Sequence, residues 1–215
     1  MSARPMHRLA VRMRRLVVTW KADSSGVAAI EFALVAPLMA VMFVGAVEMS
    51  QAITVDRRVT QIAGSTADLV ARADKTIKQS EIADIMRVGS YILKPYSANP
   101  LRITLRNVTS SPANASQTKQ SWTCSYNGTG GTQTCECTNT SFTLPANMVT
   151  TNDSVVVAEV TYDYVPLVFN YIMKNTWGGG GASYRLSETI YMKPRSQTAM
   201  LLQPDDKTPC PSPTF

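Results

Sequence analysis

At 215 residues with 45% hydrophobic side chains, the chain has enough apolar material for one domain with a real core plus a long helical appendage. Its formal net charge of +6 is concentrated at one end: the first 26 residues hold Arg4, Arg8, Arg12, Arg14, Arg15 and Lys21 against the single acid Asp23, leaving about +1 for everything that follows. A nucleic-acid binder needs its basic surface on the folded body, and this body has almost none, which argues against nucleic acid as a partner.

The first predicted element is a membrane span. Val27 to Val47 reads VAAIEFALVAPLMAVMFVGAV, 21 residues with one charge. That length suffices for a helix to cross a hydrocarbon core of about 30 Å at about 1.5 Å per residue. Basic residues, among them Arg12, Arg14, Arg15 and Lys21, crowd its N-terminal side. The expected orientation therefore has a cytoplasmic N-terminus and an external C-terminal body. Two residues in the span require explanation. Glu31 places an acid four positions inside the apolar run, where an ionised group costs on the order of 2.5–3.5 kcal/mol near a bilayer centre. A chain cut between Gly26 and Val27 would supply a partner, because the freed amine of Val27 lies one helical turn from Glu31 or meets the Glu31 of a neighbouring copy. Pro37 removes the helical hydrogen bond to Ala33 and is expected to kink the helix.

The stretch Gly26-Val27-Ala28-Ala29-Ile30-Glu31-Phe32, followed by ALVAP and a longer apolar run, resembles the processing motif of TadE-like proteins. These are minor pilins (pseudopilins) of the tight-adherence, Flp-type pilus system, and the likeness is strongest over about residues 12–70. The resemblance implies a leader ending at Gly26, a mature chain beginning at Val27, and Glu31 and Phe32 as the acid and aromatic that serve assembly and axial register. It implies a prepilin peptidase as processing enzyme, and the major Flp-type pilin, other minor pilins, an inner-membrane pilus platform and the lipid bilayer as partners. The location implied is the bacterial inner membrane, single-pass, with a periplasmic domain that enters an extracellular pilus. Two plainer readings of the span stand beside it. One is a secretory signal peptide cut near Val44-Gly45-Ala46, against which stand the length of the run, Glu31 and the later Glu48. The other is an uncleaved anchor carrying a periplasmic binding or sensing module.

Beyond Val47 the pattern becomes amphipathic. Val55, Val59, Ile62, Thr66, Leu69, Val70 and Ala73 recur at three- and four-residue steps, predicting one continuous helix from Val27 to about Arg72. A second helix is expected from Ser80, as N-cap, to Leu93, with Ile82, Ile85, Met86 and Leu93 on one side and Lys94-Pro95 as its stop. After Pro100 the period changes to two. Leu101, Ile103 and Leu105 alternate with polar residues, then Trp122, Cys124 and Tyr126, then a turn at Asn127-Gly128 and Gly130-Gly131. The longest strand is Ser154–Val165, with Val156, Ala158, Val160, Tyr162 and Tyr164 on one face, and the final strand is Tyr184–Lys193. Residues 109–121 read as a surface loop, as does the stretch with Trp177 and Gly178–Gly181, and the tail from Gln203 reads as loose. The fold class is α+β: a long N-terminal transmembrane and amphipathic helix, a second helix, then a small antiparallel sheet in a pilin-like arrangement. The divisions expected are a basic leader over 1–26, a transmembrane segment over 27–47 continuing as helix to about 73, an external domain over 80–202 and a Pro-rich tail over 203–215.

Cys124, Cys135, Cys137 and Cys210 all fall on the external side, where oxidation is allowed. Cys135 and Cys137 are too close in sequence to pair with each other, so one is expected to join Cys124 and the other Cys210. A four-cysteine zinc site is the alternative, and its spacings lack the paired CxxC form. The sole histidine, His7, lies in the leader, which excludes a histidine-based triad or metal site from the processed chain. The glycine run lacks the lysine of a phosphate-binding loop. Asp153, Glu159, Asp163 and Glu188 are scattered on strands with nothing to single out a catalytic pair. No cofactor, no metal and no enzymatic activity are expected. The aromatic group Tyr162, Tyr164, Tyr171, Trp177, Tyr184 and Tyr191 reads as half sheet core and half candidate contact surface.

Overall fold

The structure, a computed structural model, describes residues 26–176, 181, 183–195, 199–205 and 208–215. The leader arginines, Lys21 and Trp177 lie outside them. The chain falls into two compact units that divide between Val47 and Glu48. Helix α1, Val27–Ala71, is the only element with residues in both.

In the second unit the elements run β1 (Thr76–Lys78), α2 (Gln79–Ile92), β2 (Leu101–Ser110), β3 (Thr118–Asn127), β4 (Thr132–Ser141), β5 (Ser154–Tyr164), α3 (Leu167–Thr176), β6 (Tyr184–Met192) and β7 (Leu201–Gln203). Five strands form an antiparallel sheet in the order β4-β3-β2-β5-β6, and β1 pairs with β7 in parallel as a separate small sheet. The architecture is α+β, with the long helix, the second helix and the antiparallel sheet in the expected order.

The core lies between one face of the sheet and the outer half of α1. Val55, Val59, Ile62, Ala63, Ala67 and Val70 meet Ile82 and Met86 of α2, Leu101, Ile103 and Leu105 of β2, Trp122 and Cys124 of β3, and Val156, Ala158 and Val160 of β5. The three-and-four spacing on α1 produces this stripe, except that Leu69 is turned outward and Ala63 and Ala67 take the contact. Small residues there admit a close approach: a Cβ added at Gly89 of α2 would stand 2.8 Å from Ile103 Cδ1 and 2.9 Å from Ile62 Cγ2. Arg58 of α1 serves the end of α2, donating from Nη1 to the carbonyl oxygens of Ile92 (2.6 Å) and Lys94. Ile92 closes the last turn and Lys94 lies just past the cap, where no helical donors are left. The start of α2 corrects the expected cap. Its N-cap is Lys78, whose backbone N–H donates to Glu81 Oε2 at 3.2 Å, while Ser80 lies inside the first turn and donates its N–H to Asp205 Oδ1.

Four further expectations are corrected. Residues 109–121 are not one loop, since Thr109 and Ser110 end β2 and Thr118–Ser121 begin β3, and Thr109, Ser110, Ser111, Thr118 and Ser121 are buried. The register slips there: Asn107 opposes Trp122 and Val108 opposes Gln120, leaving Ser121 as a bulge whose Oγ accepts from Asn107 Nδ2 at 3.0 Å. Between β5 and β6 stands helix α3, where only a loop was expected. Tyr184–Met192 is not the last strand, because β7 follows. The tail is tied down: Cys210 is buried, its N–H donates to Leu202 O at 2.7 Å, and Lys119 Nζ donates to Thr214 O.

The opposite sheet face carries a smaller apolar cluster of Val108, Val155 and Val157, covered by Phe142, Leu144, Met148 and Val149 from the β4–β5 connection. The β3–β4 turn sits at the expected glycines, with Gly130 at φ 82° and Gly131 at φ 63°.

Candidate functional site

Among the described residues, the first unit consists of Gly26 and the N-terminal part of α1. Gly26 forms the turn that opens it, and its carbonyl accepts the N–H of Ile30 at 3.2 Å, the first helical bond. Eleven large apolar side chains between Val27 and Val47 are exposed, Phe32 and Leu34 each at 73%. Each such side chain left in water forgoes about 1.5–3 kcal/mol of burial, so a segment of this composition requires a non-aqueous surround. The helix is long and apolar enough to cross a membrane, and none of its most apolar stretch is buried by the protein itself. Glu31 is exposed and, among the described residues, has no hydrogen-bond or ion-pair partner. It lies one turn beyond Val27 on the same side of the helix. Phe32 follows it into the open. Pro37 stands inside α1, which runs through it as one helix.

In the second unit the acids singled out on the strands are mostly paired with cations. Arg106 reaches Glu159 at 3.0 Å, Arg185 reaches Asp163 at 3.0 Å, and Lys193 reaches Asp153 at 2.6 Å. Asp153 is the most enclosed. Burial pushes its carboxyl up, but the Lys193 ammonium and the N–H groups of Thr150 and Ser154 outweigh that and hold it below the usual carboxylate range. Glu188 opposes Val160 in the β5–β6 ladder, which places it on the sheet face opposite Glu159 and Asp163. No two of these acids converge on a common point. The four cysteines form two disulfides, Cys124–Cys135 and Cys137–Cys210. The first joins directly opposed residues of β3 and β4, and the second fastens the C-terminal tail to β4. With every thiol oxidised, the zinc alternative has no thiolates to use.

The aromatic group divides. Tyr162 and Tyr164 are core, Tyr191 packs on the smaller cluster, and Tyr171 and Tyr184 are exposed. A cleft of about 720 Å³ lies beside the β4–β5 connection, lined by Lys119, Phe142, Leu144, Met148, Val149 and Phe215 among others.

Sequence reasoning gave Glu48 no structural role. Its carboxylate accepts the backbone N–H of Val168 (2.5 Å, Oε1) and of Phe169 (3.1 Å, Oε2), the first turn of α3. A carboxylate suits a helix N-terminus because the free N–H groups and the dipole both favour negative charge. The phenol of Tyr164 is pushed up, first by burial and then by the nearby Glu48 charge. Only an acid placed just after the apolar run hinted at this contact.

These features define a class: an N-terminal helix of membrane-spanning length and composition, continuing into an α+β domain fastened by two disulfides. Within that class the comparison with known families is specific. The family model described as TadE-like protein matches residues 26–68, from the glycine that opens α1 to Asp68 in its outer half. Over that segment the chain is similar to TadE-like proteins, in line with its N-terminal motif. No curated protein and no solved structure matches it.

Proposed function

We propose that the chain is a minor pilin or pseudopilin of a Tad-type pilus, anchored in the bacterial inner membrane with its second unit in the periplasm. A prepilin peptidase cuts after Gly26; glycine at that position leaves the scissile backbone unobstructed. The new amine of Val27 and the carboxylate of Glu31 then pair between subunits and set axial register when α1 enters a bundle with the major Flp-type pilin or other minor pilins. Buried ion pairs contribute little net stability but serve well as register devices. The role is assembly or a place at the pilus tip, reached through the inner-membrane platform, and it involves no catalysis. The observation that carries this reading is the family match, which begins at Gly26 and covers the unburied apolar run and its lone acid.

The deciding experiment is intact mass and N-terminal sequencing of the protein recovered from bacterial membranes. A terminus at Val27 is the expected result. A terminus near Val47 would make the chain a secreted domain, and an uncut chain would leave an anchored binding or sensing module; both outcomes remove the pilin reading. Co-fractionation with sheared pili then tests incorporation.

A further inference from the structure

Helix α3 is apolar over most of its surface, and among the described residues most of that apolar surface is left uncovered, with only Asn170 and Met173 half-buried. Six of its first seven residues are apolar, and Leu167 is 76% exposed, Tyr171 69% and Phe169 46%. Val165 at the end of β5 and Tyr184 at the start of β6 are also exposed. A ten-residue helix of this kind normally faces a core. Here its place in the chain's geometry identifies another surround. Its first turn is held by the Glu48 carboxylate through the N–H groups of Val168 and Phe169. Glu48 directly follows Val47, the last residue of the apolar run. If that run fills the hydrocarbon core, Glu48 stands at its outer boundary, and the start of α3 stands there with it.

We propose that α3 lies in the headgroup layer of the bilayer from which α1 emerges, as a second, peripheral membrane contact of the external domain. The inference goes beyond the pilin assignment but rests on the anchor reading of α1. Its composition fits that layer. Leu167, Val168, Phe169 and Ile172 supply apolar surface for the acyl boundary, and Tyr171 offers an aromatic ring with a polar tip, a residue type enriched at membrane interfaces. Lys174, in the last turn, supplies a cation for anionic headgroups. Glu48 gains a function from the same arrangement: an acid at the edge of an apolar span is compensated by the helix it holds. Lipid contact at α3 then fixes which side of the domain faces the membrane before assembly.

The test uses the full-length protein in nanodiscs of phosphatidylethanolamine and phosphatidylglycerol, with a photoreactive phenylalanine analogue placed singly at Phe169, Leu38 or Leu69. All three side chains are exposed, so the replacements leave the core untouched. Leu69 is 21 residues beyond Glu48 on the same helix, about 30 Å along its axis. Lipid adducts are expected at Leu38 and at Phe169, each several-fold above Leu69. Labelling at Leu38 with only the Leu69 level at Phe169 overturns the proposal and leaves the anchor standing. Adducts at Phe169 with a second copy of the chain instead of lipid also overturn it, by making α3 a subunit interface. Absence of lipid adducts at Leu38 removes the anchor reading and the proposal together.

Discussion

Breaking the two disulfides one at a time should give unequal losses of stability, and the structure sets their order. Cys137–Cys210 closes a loop with a sequence separation of 73, and Cys124–Cys135 one of 11. Loop-closure entropy in the unfolded chain then assigns about 4.4 kcal/mol to the first link and about 2.8 kcal/mol to the second. The loops do not overlap along the chain, so the losses should add in the fourfold variant. Each pair joins one buried cysteine, Cys124 or Cys210, to a more accessible one, half-buried Cys135 or exposed Cys137. What remains after reduction differs in the same direction. Cys124 and Cys135 stay opposed in the β3–β4 ladder, whereas Cys210 keeps its N–H bond to Leu202 and the few contacts of Thr214 and Phe215. Urea unfolding of the full chain in detergent, followed through the near-ultraviolet signal of buried Trp122, compares Cys137→Ala/Cys210→Ala with Cys124→Ala/Cys135→Ala. The first should be the less stable by about 1.6 kcal/mol on the same relation. Equal losses, or the reverse order, would refute the argument that these links act by constraining the unfolded chain.

Gly128→Ala should cost at least the upper end of the about 1–3 kcal/mol typical of overpacking, because the new Cβ would stand 1.7 Å from the backbone carbonyl oxygen of Ala98. Gly89→Ala should cost less, since its clashes are with side-chain ends and alanine gains about 1 kcal/mol of helix propensity; urea midpoints of the two variants check the order. Asp153→Asn should lower stability at neutral pH and flatten the acid limb of the stability curve. The folded carboxyl is held below its usual range, so its contribution is complete above the unfolded value and is lost as pH falls through the folded one; parallel curves for wild type and variant would count against this assignment. Glu31→Gln should leave cleavage after Gly26 intact and reduce recovery of the protein in sheared pili; normal recovery would dispose of the register role.

The parts of this protein legible in its sequence are those whose physics is local. The apolar run of α1, its amphipathic continuation, and the alternation of Leu101–Leu105 and Val156–Tyr164 each state their environment within one element, and each stands where the pattern placed it except at Leu69. β4 escaped notice because TQTCECTNTS has no apolar face to declare; as an edge strand exposed along much of its length it needs none. The start of β3 was hidden by its polarity. Ser, Thr and Gln read as loop until Asn107, on another strand, supplies the partner that makes a buried Ser121 tolerable. Helix α3 is the sharpest case. The stretch with Trp177 and the glycine run read as a loop, and the acid that stabilises the first turn of α3 is Glu48, 120 residues away. An exposed apolar helix acquires meaning only from what stands beside it, and a carboxylate at the edge of an apolar span only from what it holds. Each looks like an anomaly when read alone. The hydrogen bonds between them convert both into one arrangement, a relation that no windowed reading of either segment contains.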